Sequence, residues 1–160
     1  MNLALLTTYL NDHRAGATAA TDVIERLIDE NQGEPLGDFA ITLLNEIEQD
    51  EAELDGLIEQ YDAMPGGAKQ AVAWAAAKIT MPKFGRSTAG EFGNFQALEF
   101  LSIGILGKLA LWRMLQSLSD SDLLSLDYGR LIERAESQFQ QVEQWRIRTG
   151  CMAMNSRTAV

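Results

Sequence analysis

Four long segments of this chain carry apolar residues at alternating intervals of three and four. That spacing returns to one side of an α-helix and to both sides of a strand, so it selects helices with a single buried stripe. In the first segment, about Asn2 to Asn31, the stripe is Leu3, Leu6, Leu10, His13, Ala17, Ala20, Ile24 and Leu27. In the second, about Pro35 to Ala63, it is Leu36, Ala40, Leu43, Ile47, Asp50, Leu54, Leu57 and Tyr61. The third, about Glu91 to Leu118, is apolar on nearly every side and is expected to be the most enclosed. The fourth, about Asp127 to Arg148, turns Tyr128, Leu131, Ala135, Phe139, Val142 and Trp145 inward. Such helices bury their stripes against one another, which closes a bundle.

The links between them set the topology. Asn31, Gln32 and Gly33 end the first helix, and Pro35 suits the first position of the second. Met64-Pro65-Gly66-Gly67 then breaks the chain. Residues 68–80 place Val72, Ala76 and Ile79 with Trp74 and predict a short extra helix, while Met81 to Gly90 reads as loop. Ser119 to Asp122 offers a turn with several caps. A long middle link lets the third helix run parallel to the second, which is the single-crossover arrangement. The other arrangement open to this pattern is an up-down bundle with an insertion. The expected fold is therefore all-α: a ferritin-like four-helix bundle with a long crossover, about 64–90, carrying a short extra helix. One domain is expected over residues 1–149, with 150–160 as a C-terminal tail.

Charge narrows the partners. Against 23 Asp and Glu there are 13 Lys and Arg, a formal net charge of −10. Nucleic acids and anionic membranes are disfavoured by such a surface. Glu99, Lys108 and Arg113 interrupt the apolar run from Phe95 to Leu118, so it reads as a buried helix rather than a membrane span. Cys151 is the one cysteine, which rules out an intrachain disulfide or a Cys-based zinc site. Residues 1–13 lack the pattern of a signal peptide, and a cytoplasmic setting is expected. The segment carrying Lys69, Lys78, Lys83 and Arg86 is basic against an acidic whole. A homodimer, or a protein partner docked on the crossover helix near Trp74, is the interaction expected.

Polar residues interrupt the apolar faces at mid-helix. His13 and Asp50 lie in their stripes, Glu99 shares an arc with Phe95, Ile103, Leu106 and Ala110, and Arg146 follows Phe139 and Val142. Folding the helices back about their links sets His13 level with Asp50 or Glu53, and Glu99 level with Arg146. Buried polar groups need partners, so two buried pairs are expected. One reading makes them structural pairs that fix register in a non-catalytic bundle. The other makes them part of a metal or small-ligand site at mid-bundle, with His13, Asp50, Glu46 and Glu99 around a single divalent ion. A di-iron centre is not expected, because it uses two Glu-x-x-His motifs and this chain has one histidine and no such motif. No cofactor is predicted. Neither a phosphate loop, a dinucleotide fingerprint nor a hydrolase elbow is present. Gly16 with Ala15, Ala19 and Ala20, and Gly104 and Gly107 with Ser102, are expected to let neighbouring helices approach closely.

Two stretches resemble motifs of bacterial ferritin-like helical proteins of unassigned function. They are Tyr9-Leu10-Asn11-Asp12-His13-Arg14-Ala15-Gly16-Ala17-Thr18, and Leu98-Glu99 through Gly107-Lys108-Leu109-Ala110-Leu111-Trp112. The resemblance implies a ferritin-like bundle and carries no activity. Di-iron members of that wider superfamily are oxidases or iron stores, and this chain departs from them at the histidines.

Overall fold

The computed structural model describes residues 2–62, 90–118 and 126–155. They form four helices: α1 (Leu3–Glu30), α2 (Pro35–Asp62), α3 (Glu91–Ser117) and α4 (Tyr128–Asn155). No strand occurs among the described residues. Among them, too, no helix is long and apolar enough to cross a membrane. The expected crossover helix at 68–80, and the docking face near Trp74, lie outside the described residues.

The core has two apolar layers. The first joins Leu6 and Leu10 of α1, Leu54 to Tyr61 of α2, Leu109 to Leu115 of α3, and Tyr128 to Ala135 of α4. The second joins Ile24 and Leu27, Leu36 to Ile47, Ala97 to Ile105, and Val142. Each helix therefore runs from one layer to the other. α1 and α4 point one way and α2 and α3 point the other. α2 ends in the first layer and α3 begins in the second, so the chain leaves one end of the bundle and re-enters at the opposite end. α1 packs on α2 and α3, and α4 on α3 and α2, which puts α2 and α3 on a diagonal.

Local chemistry sets the ends. The Asn2 side chain accepts from the Leu5 backbone N–H and caps α1, and Asp127 does the same for Arg130 at the start of α4. Asn31 and Asn94 exchange amide hydrogen bonds of 2.9 and 3.1 Å, which ties the end of α1 to the start of α3. Gly37 lies so close to the Asn31 carbonyl that an added Cβ would sit 2.2 Å from its oxygen.

One expectation is corrected here. α4 does not fray at Gly150 but continues to Asn155. Gly150 is buried against Phe95, and the lack of a side chain lets the ring in: an added Cβ would be 2.8 Å from it. The tail boundary at 150 therefore falls inside a helix. As expected, α3 buries more of its residues than any other helix among the described residues, and it leaves one strip open. Ile103 is 66% exposed, and Leu106 and Met114 are also open among the described residues.

Candidate functional site: a polar girdle beside an open pocket

Between the two apolar layers lies a girdle of polar side chains. It begins as a ladder between α2 and α4. Arg130 donates to Glu53 at 2.8 Å, Arg134 donates to Gln49 at 3.0 Å and to Asp50, and Gln138 donates to Glu46 at 3.0 Å. The rungs descend one turn at a time on both helices, in the antiparallel sense. Long polar side chains fill the space here, so these two backbones need not approach closely.

Lys108 of α3 completes the girdle from across the bundle. Its Nζ donates to Asp50 Oδ2 and, at 2.5 Å, to Gln138 Oε1. Asp50 is 2% exposed, and both of its oxygens are engaged, Oδ1 by Arg134 and Oδ2 by Lys108 and Gln138. Burial pushes the Lys108 ammonium below the usual lysine range, and the Asp50 charge opposes that shift. Two carboxylates, Asp50 and Glu46, face two cations, Lys108 and Arg134, so the girdle is balanced in charge. An aspartate held in this way bridges α2, α3 and α4 through both of its oxygens.

Sequence reasoning found Asp50 but gave it another partner. No hydrogen bond or ion pair joins Asp50 to His13 among the described residues. Arg14 pairs with Asp55 at 3.2 Å and Thr18 donates to Glu51 at 3.3 Å, which sets position 13 opposite Gly56. That is one to two turns beyond Glu53 and Asp50. His13 is half-buried, and its ring meets the Tyr9 ring edge-on with centroids 4.7 Å apart. Desolvation lowers its pKa below 6.5, with Asp12 pulling the other way. In the sequence Lys108 breaks an apolar run, and nothing in that pattern joins it, Arg134 and Gln138 to Asp50. Their signal lay in the charge alternation of α4 opposite the acids of α2.

Glu99 and Arg146 do meet, at 3.7 Å, but not as a buried pair: their side chains are 45% and 25% exposed. Arg146 lies nearer to Glu143, which it grips through Nε and Nη2 at 2.7 and 2.5 Å. The arc of Ile103, Leu106 and Ala110 that Glu99 shares turns outward, and Leu98, Leu101, Ile105 and Trp112 turn inward. The four expected metal ligands are thereby divided: Glu46 and Asp50 meet around Gln138, while His13 and Glu99 stand apart. Among the described residues no group of three or more His, Cys, Asp or Glu side chains could hold a metal ion.

Beside the girdle lies a pocket of about 300 Å³ between α1, α2 and α3. Small residues, Gly16, Ala17 and Ala20 on α1 and Gly104 and Gly107 on α3, form part of its walls beside larger apolar side chains such as Leu54 and Phe100, and Asp50, Lys108 and Trp112 also line it. His13 and Asp50 thus share a cavity without touching. An added Cβ at Gly16, Gly104 or Gly107 would meet nothing within 4 Å among the described residues. The expectation of close helix approach at these glycines is therefore corrected: they border open space. Helix glycines cost ~1 kcal/mol each relative to alanine, and no neighbouring backbone among the described residues compensates them.

No protein-family model, no curated protein and no solved structure matches this chain.

Proposed function

We propose that this chain is a non-catalytic, ferritin-like bundle that holds a small, mostly apolar molecule at mid-bundle. The observation that carries this reading is the open, mostly apolar pocket bordered by three helix glycines that meet no neighbour among the described residues. Three helix glycines that relieve no steric conflict among the described residues leave a volume open beside them. The pocket lies at the lower end of the range for small-molecule sites, and its mostly apolar walls and few polar groups fit that use. The parallel course of α2 and α3 supports the ferritin-like reading, since a single crossover produces it. The full commitment of Asp50 to three partners supports a holding role over a reactive one. An exposed free thiol at Cys151 favours a reducing, cytoplasmic setting.

Titration of the full chain with butylbenzene or propiophenone, followed by amide NMR, tests this. Saturable shifts centred on Gly16, Gly104 and Gly107 are expected for at least one of the two probes. The Gly104→Leu variant, folded by circular dichroism, should lose them. Absence of saturable binding by both probes overturns the reading.

A further inference from the structure

Glu99, Ile103, Leu106, Ala110 and Arg113 follow one another along α3 at intervals of four and three, so they share one side of the helix. This side turns away from both core layers. Ile103 and Leu106 are 66% and 45% exposed, and Ala110 is open beside them among the described residues. Contiguous apolar surface left open in this way marks an interaction face.

The two ends of the strip are charged, and the charges are set symmetrically. Glu99 and Arg113 lie seven residues to either side of Leu106, two turns each way. Each is paired with α4, Glu99 with Arg146 at 3.7 Å and Arg113 with Glu136 at 2.6 Å. Glu99, Arg113 and Glu136 all remain largely exposed in these pairs. One end therefore presents an acid on α3 beside a base on α4, and the other end presents the reverse.

That order is self-complementary under a two-fold axis. When two copies of the strip lie antiparallel with their Leu106 residues level, Glu99 of one copy is level with Arg113 of the other. The axis keeps both α4 helices on the same flank, so Arg146 of one copy comes level with Glu136 of the other. Each end becomes a cluster of four alternating charges, and Ile103, Leu106 and Ala110 fill the middle. The parallel sense would set Glu99 against Glu99 and Arg113 against Arg113, and like charges so placed oppose it.

Beyond the ligand-binding reading, and independently of it, we propose that this side of α3 is an isologous interface with a second copy of the chain, antiparallel and centred on Leu106. A contact of one helix on one helix is small against the ~1,600 Å² of a standard interface, so the dimer forms reversibly with concentration.

Sedimentation of the full chain should show a monomer–dimer equilibrium. Leu106→Glu puts two like charges at the axis and should weaken the dimer at least ~tenfold. Ile41→Glu, at an exposed position on α2, should leave it unchanged. Oxidation of cysteine variants in a Cys151→Ser background reads the register without altering Leu106. A mixture of Glu99→Cys and Arg113→Cys chains should cross-link. Either variant alone should not, because its two thiols would lie about 21 Å apart along the helices. A chain that stays monomeric at every concentration overturns the proposal, including the case in which residues 63–89 cover the strip. A dimer that tolerates Leu106→Glu, or that cross-links in another register, overturns it too. Neither result decides small-molecule binding, which the titration above tests separately.

Discussion

Asp50 on α2 and Lys108 on α3 form an ion pair across the diagonal of the bundle, between helices whose backbones scarcely meet. The carboxylate is almost wholly enclosed, and Arg134 of α4 holds its other oxygen. One buried carboxylate thus fixes the relative height and rotation of three helices.

Removing that carboxylate strands two cations in the interior. Asp50→Ala should lower stability by ~3–5 kcal/mol, the cost of breaking a buried pair on one side. Replacing all three charges together, as in Asp50→Leu with Lys108→Met and Arg134→Met, should cost clearly less than Asp50→Ala alone. Urea unfolding of the single and triple variants checks this. Equal or additive losses would mean the three groups do not act as a unit.

The glycines divide into two kinds. Gly104→Ala and Gly107→Ala should each raise stability by up to ~1 kcal/mol, because alanine restricts the unfolded chain and meets no neighbour among the described residues. Gly150→Ala should lower it by ~1–3 kcal/mol, because the Phe95 ring must shift. Thermal and urea unfolding of the three variants decides the signs.

His13 makes stability fall on mild acidification. Its folded pKa lies below the ordinary 6.5 because burial disfavours the cation. The unfolded chain therefore takes up its proton first as the pH drops. The His13 contribution is complete above about pH 6.5 and is lost as the pH falls below that value towards the folded pKa. An NMR titration of the imidazole should give a midpoint under 6.5. His13→Gln should flatten the stability profile in that window. An imidazole midpoint at or above 6.5 would contradict the burial described.

At the other extreme of pH, Tyr128 acts in the opposite sense. Desolvation, with Tyr61 nearby, raises its phenol to about 12. The unfolded chain then loses this proton first, so stability falls as the pH rises from about 10 to about 12. Tyr128→Phe should remove that alkaline loss. Near neutral pH the same change should leave stability within ~1 kcal/mol or raise it, since the buried hydroxyl has no partner among the described residues. Urea midpoints measured across the alkaline range separate the two chains.

The division between chain and fold runs along the reach of periodicity. The spacing of Leu36, Ala40, Leu43, Ile47, Asp50, Leu54, Leu57 and Tyr61 is a property of one helix, and all eight are buried. Helix starts are equally local, which is why Pro35 and Glu91 open their helices where their chemistry places them. The level of Glu99 with Arg146 also followed from a short link. Partner choice for Asp50 could not follow, because it depends on how a neighbour is rotated and shifted. α3 is apolar all round, so hydropathy carries no phase that would point Lys108 inward and Glu99 outward. The α1–α2 turn moved the pairing by a turn or more, enough to part His13 from Asp50. Whether a glycine admits a neighbour, as Gly150 does, or borders an open pocket among the described residues, as Gly104 does, was settled only when the four helices packed.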